Sequence, residues 1–206
     1  MLQVVQHQKT GVIEVLELPA PALRSGWIVV RTASSLISAG TERSSVEKSQ
    51  SSLIERARKQ PDDVRQVVDM VRKEGLVPAA KKILNKLDSY RALGYSAAGV
   101  VVESGCDEFA PGDRVACAGA GYAVHAGVIA VPKNLAVRIP EGVSLDEASF
   151  TTLGAIALQG VRQADLRLGE TVAVVGLGLL GQISVAMLKA SGCRVIGIDV
   201  DRAQFD

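Results

Sequence analysis

Histidine is almost absent from this 206-residue chain, which holds only His7 and His125, and cysteine is nearly as scarce: Cys106, Cys117 and Cys193 stand far apart with no C-x-x-C pair. An odd, dispersed cysteine set argues against a secreted disulfide framework and fits a reducing cytoplasm. Aromatic residues make up 3% of the chain, so any core is aliphatic. Net charge is +1, without the cationic excess of a dedicated nucleic-acid binder. No apolar run approaches the roughly 20 residues of a membrane span, and Met1-Leu2-Gln3-Val4 lacks the basic start of a signal peptide. What remains is 48% hydrophobic and 22% charged, the balance of a folded globular protein. Its length suits one full domain and the beginning of a second.

Periodicity divides the chain. From Leu2 to Thr32 it reads as short strands, Val4-Val5, Val12 to Leu16 and Trp27 to Thr32, separated by turn residues Thr10-Gly11, Pro19, Pro21 and Ser25-Gly26. Further strands are expected at Ala98 to Glu103, Arg114 to Cys117, Val128 to Val131 and Ala136 to Ile139. Between these β regions, residues 43 to about 91 read as a helical excursion. Pro61-Asp62-Asp63 opens a segment whose Val64, Val67, Val68 and Val71 share one helix face, and Gly75 closes it. The excursion carries twelve Lys and Arg against seven Asp and Glu, a balance of +5. A solvated helical face explains that balance. A lid or docking surface for an anionic ligand is the sharper alternative. After residue 145 the period changes again: a helix from Asp146 to Gln163, a buried-type strand Thr171 to Val175, a helix Gln182 to Ala190 and a second buried-type strand Arg194 to Ile198. Strand, helix, strand implies a parallel pair.

Gly176-Leu177-Gly178-Leu179-Leu180-Gly181 joins the first of these strands to its helix. A lone G-x-G-x-x-G is weak; its placement here meets each physical demand of a dinucleotide site. The first glycine permits a tight turn, the second lets backbone amides approach a pyrophosphate, and the third lets helix and strand pack closely. The helix N-terminus then offers unpaired N–H donors to an anion. Asp199 ends the second strand 23 residues after Gly176, near the offset of the carboxylate that bonds a ribose diol. A carboxylate there repels a 2′-phosphate, so NAD is favoured over NADP, with Asp201 in reserve.

Leu18-Pro19-Ala20-Pro21, Gly40-Thr41-Glu42, Gly112-Asp113-Arg114-Val115, Val131 to Leu135 and Ile139 to Val143 follow one another in an order that resembles the medium-chain dehydrogenase/reductase family, the alcohol dehydrogenase and quinone oxidoreductase relatives, over almost the whole length. The resemblance implies a mixed α and β fold: a GroES-like, β-rich catalytic domain over 1–150 with the helical insertion, then the start of a Rossmann domain over 151–206, and an active site in the cleft between them. It also shows where this chain departs. Zinc-using members carry a Cys just before the Gly-Thr-Asp-like element and a Gly-His-Glu later. Here those positions read Ala39 and Gly94-Tyr95-Ser96, Leu153 stands where another Cys is common, and the four-cysteine lobe is missing between Arg114 and Tyr122. No set of three or four ligands is left to converge on zinc.

A zinc-independent, NAD-dependent oxidoreductase of an alcohol or carbonyl carbon is the expectation, with a sugar derivative as the substrate class. Without a metal, hydrogen-bond donors must polarise the carbonyl. The resemblance places Thr41 at the family's hydroxyl relay and Tyr95 where a ligand once pointed into the cleft. Each has a plain reading as well, a turn-stabilising hydroxyl and a packed ring, and His125 reads as core or rim packing. Ser38 is a further donor. The alternative from another class is a non-catalytic dinucleotide-binding or assembly module. The insertion resembles a bacterial subgroup in which a zinc-free unit is fused to a second oxidoreductase module and linked to sugar metabolism; a homo-oligomer is a further expectation. Two parallel strands fall short of the six of a full dinucleotide domain, so the sequence also reads as part of a longer product, inactive alone.

Overall fold

The computed structural model describes residues 1–38, 40–42, 69, 72, 73, 75, 78 and 88–205. Most of the expected helical excursion over 43–91, with its charge balance, lies outside the described residues, as does Ala39. Within it Asp69, Arg72 and Lys73 are helical and exposed, and Gly75 follows with φ of +88°.

Ten strands are described. Strand β1 (Leu2–His7) pairs antiparallel with β2 (Ile13–Glu17) on one side and with β4 (Tyr90–Ala92) on the other. A five-stranded antiparallel sheet runs in the order β7 (Val128–Pro132), β3 (Trp27–Ser35), β5 (Ser96–Ser104), β6 (Arg114–Ala118), β8 (Ala136–Arg138). Strand β9 (Thr171–Val175), helix α3 (Leu179–Ala190) and β10 (Arg194–Ile198) form a parallel strand–helix–strand unit, with Ile198 opposite Val175 in register.

The two-residue period of a strand shows in what the central sheet buries. From β5 and β6, Ala97, Val101, Val115 and Cys117 join Ile28, Val30, Ile129 and Val131 in one cluster. Their sequence neighbours Ala98 and Ala116 face the opposite side and bury against Ala148. Methyl-sized side chains on that side let a helix lie close, and α1 (Leu145–Ala148) occupies the space. Ser34 Oγ donates to the Asp146 carboxylate and ties α1 to β3.

The helix expected from Asp146 to Gln163 is two helices, α1 and α2 (Thr151–Gln163). Ser149 Oγ donates to the Asp146 carbonyl and Thr151 Oγ1 to the Ala148 carbonyl, each at 2.7 Å. These short side-chain bonds compete with the i−4 ladder at the junction. Strand β4 corrects the other boundary, since the excursion was expected to run to about 91 while Tyr90–Ala92 is extended. Its register sets Val5 opposite Ala92, and Tyr90 Oη donates to Glu14 at 3.0 Å.

Ser144 caps α1 in a reciprocal box, accepting from Glu147 N–H while the Glu147 carboxylate accepts from Ser144 N–H and Oγ–H. Those donors hold the Glu147 carboxyl below its ordinary range. Ser144→Ala removes one side of the box and is expected to cost about 1 kcal/mol. A urea titration checks it; an unchanged midpoint would show that α1 is held by packing alone.

Candidate functional site

Two groups of residues were expected to carry function, and they sit in different parts of the chain. The glycine turn follows β9 directly. Gly176 has φ of +93°, a conformation that favours glycine, and its N–H donates to the Ile198 carbonyl at 2.8 Å, fixing the turn to the end of β10. Gly178 is the N-cap of α3 and supplies no capping side chain. The amides of Leu179, Leu180 and Gly181 therefore open the helix without a side-chain acceptor. An added Cβ at Gly178 would meet nothing within 4 Å, so the turn presents open space above bare backbone. At Gly181 the opposite holds: a Cβ would run into the Gly176 carbonyl oxygen.

Asp199 closes this arrangement. Its Oδ2 accepts from Leu177 N–H at 2.5 Å and its Oδ1 from Asp201 N–H at 2.9 Å. The amides of Asp201, Leu177 and Val200 hold the carboxyl below its ordinary range, with burial opposing weakly. An ionised carboxylate has about four acceptor positions, so these backbone bonds leave capacity for a sugar hydroxyl. Asp201 instead caps the following turn, its Oδ1 accepting from Ala203 N–H at 3.1 Å. These residues fit a dinucleotide: amides for the diphosphate, Asp199 for the ribose. A cavity of about 510 Å³ lies between α3 and β10, and none of Gly176, Gly178, Gly181 and Asp199 lines it.

Thr41 and Tyr95 meet in a second cavity of about 320 Å³, which Glu42, Arg91, Gly94 and Gly121 also line. Glu42 N–H donates to the Ser38 carbonyl at 2.9 Å, a helical i to i−4 bond within the described residues 40–42 that follow β3. Ser38 Oγ donates to Thr41 Oγ1 at 3.3 Å, which directs the proton of Thr41 away from Ser38. The carbonyl of Tyr95 accepts from Gly119 N–H at 2.9 Å, fixing the backbone beside the cavity.

Sequence reasoning missed Glu42 and underrated His125. The imidazole is 9% exposed, with Nδ1 2.8 Å from Ser35 Oγ and Nε2 3.1 Å from Glu42 Oε1. Gly94 makes room for the ring, because a Cβ there would stand 2.9 Å from it. The one available signal was the Gly40-Thr41-Glu42 motif, in which only the threonine received a role. Cys117 offers no competing nucleophile: burial pushes its thiol up to about 12. Among the described residues no three His, Cys, Asp or Glu side chains cluster where a metal could bind, and no helix is long and apolar enough to cross a membrane.

Comparison with known proteins gives relatives for part of the chain and a shared fold for nearly all of it. No protein-family model matches the chain. D-guloside 3-dehydrogenase of Shigella flexneri is 37% identical over 111 residues, covering 52% of this chain and 31% of that protein. The probable D-xylulose reductase A of Emericella nidulans is 34% identical over 77 residues, 37% of this chain and 21% of that one. In fold, the quinone oxidoreductase of Thermus thermophilus, solved also as its NADPH complex, superposes with a TM-score of 0.62 at 24% identity, covering 99% of this chain and 55% of that one. By name these two relatives are a sugar dehydrogenase and a sugar reductase, and the solved structure shares the fold of this chain. The curled β sheets and the parallel strand–helix–strand unit of this chain are GroES-like and Rossmann-like in arrangement. The chain spans under a third of these two curated relatives and about half of the solved structure.

Proposed function

We propose that this chain belongs to a zinc-independent, NAD-dependent oxidoreductase that interconverts a hydroxyl and a carbonyl on a sugar derivative. The observation that carries the cofactor is the uncapped start of α3 facing the Asp199 carboxylate across the Gly176 turn. The amides of Leu179, Leu180 and Gly181 would hold a diphosphate, and Asp199 would accept from a ribose diol while disfavouring a 2′-phosphate. A bound nicotinamide supplies hydride transfer. The NADPH complex of the Thermus neighbour makes the preference for NAD a point for measurement. Sugar-directed names among the relatives support the substrate class. The altered Ala39 and Tyr95 positions support zinc independence, and prolonged chelation is expected to leave turnover unchanged.

Within the β domain, Thr41 is the donor best placed for the reacting oxygen. It accepts from Ser38 and so has its own hydroxyl proton to give, and Tyr95 stands in the same cavity. Thr41→Val keeps shape and removes the hydroxyl. It is expected to lower kcat by about 10²-fold with little change in KM, the scale of a general-acid contribution. Turnover of the full-length protein, followed at the NADH absorbance band over a panel of sugars and alcohols, is the direct test. Binding of NADH without turnover on any member would favour a non-catalytic module instead.

A further inference from the structure

The Thr41–Tyr95 cavity is lined by one acid, Glu42, and that acid is fastened from behind. His125 Nε2 stands 3.1 Å from Glu42 Oε1, and Ser38 N–H donates to the same oxygen at 3.2 Å. Ser35 Oγ, 2.8 Å from His125 Nδ1, holds the other side of the ring. With Nε2–H donating to the carboxylate, Nδ1 is left to accept from the serine hydroxyl. The Glu42 side chain is only 16% exposed. A carboxylate so far withdrawn from water needs donors. Ionised, it has about four acceptor positions, and both described protein donors fall on Oε1. Among the described residues no donor falls on Oε2, and Glu42 lines the cavity, where a substrate hydroxyl can reach it. Arg91 lines the same cavity beside the apolar Ala92, Leu93 and Gly94, and a carboxylate repels an anionic group, so the substrate group that Glu42 itself can take is a donor such as a neutral hydroxyl.

We propose that Glu42 reads a hydroxyl of the substrate through Oε2, with His125 as the positioning residue that fixes the carboxylate, so that the cavity selects a polyhydroxylated ring over a hydroxyl-poor one. The proposal rests on the oxidoreductase reading for its substrate, not for its binding geometry. The test uses the full-length protein with methyl α-D-glucopyranoside and cyclohexanol, six-membered rings rich and poor in hydroxyls. Affinity is read by titration, and turnover at the NADH band. The parent should bind the glucoside more tightly than cyclohexanol. Glu42→Gln should weaken the glucoside about 10-fold, the scale of one hydrogen bond to a charged group, and leave cyclohexanol within about twofold. His125→Ala should reproduce that selective loss. His125→Gln, whose amide N–H replaces the Nε2 donor, should recover most of it, which a purely packing role of the ring would not allow. Equal weakening of both probes in Glu42→Gln, or a parent protein with no preference for the glucoside, would overturn the assignment. Selective loss without turnover in the parent would sustain Glu42 and sink the oxidoreductase reading instead.

Discussion

Gly178→Val is expected to reduce NADH affinity about 100-fold without loosening the fold, whereas Gly181→Ala is expected to disturb both. The contrast follows from what each missing side chain would meet. Gly178 has φ of −65° and ψ of −173°, a conformation open to any residue, and nothing lies within 4 Å of the Cβ position. A valine there is unstrained, and folding stability should stay within about 0.5 kcal/mol. Its methyl groups would stand where a diphosphate must approach the amides of α3. At Gly181 the new Cβ collides with the Gly176 carbonyl, backbone against backbone, and no rotamer relieves that. Helix and turn must part, at a cost of about 1–3 kcal/mol. Fluorescence titration with NADH beside a thermal midpoint separates the two variants. Gly178→Val binding NADH as tightly as the parent would mean that the turn is not a diphosphate cradle.

The parts of the fold that were legible in the sequence depend on local pattern. The apolar runs Ala98 to Glu103 and Arg114 to Cys117 read as strands, and the strands found there sort their side chains to two faces. The glycine turn was readable for the same reason: strand, turn, helix and acid follow one another within 29 residues. Tyr90–Ala92 was not. Three residues carry no period, and the strand exists because β1, more than eighty residues earlier in the chain, offers it an edge. The break between α1 and α2 was hidden too, since Ser149 and Thr151 are ordinary in composition and act by bonding back to carbonyls.

The Thr41–Tyr95 cavity divides likewise. Both residues were named from motif positions, and the chain brings them to one wall. The pair that stiffens that wall joins Glu42 to His125, 83 residues apart. Sequence spacing says nothing about such a bond. Only the fold puts the ring under Gly94, with no side chain there to exclude it.

Asp199→Ala is expected to lower NAD affinity by one to two orders of magnitude and to remove discrimination against NADP. Two effects combine in that number. The carboxylate is the group placed to accept ribose hydroxyls, and it also holds the glycine turn through Leu177 N–H. Asp199→Asn separates them. Its amide oxygen can still accept from one backbone N–H, so the turn stays set, while the negative charge that disfavours a 2′-phosphate is gone. NADP affinity should therefore rise in the asparagine variant as NAD affinity falls; unchanged discrimination would defeat the assignment. The pH dependence gives an independent check. Amides from Asp201, Leu177 and Val200 hold the Asp199 carboxyl below its ordinary value of 3.8. A group depressed in the folded state makes its full contribution above that ordinary value and loses it as pH falls through the lowered one. NAD affinity should thus stay level from about pH 8 down to about pH 5 with respect to this group. A tenfold decline in NAD affinity over that interval, absent in Asp199→Asn, would show that the carboxyl is being protonated there and that the backbone amides do not hold it as the structure describes.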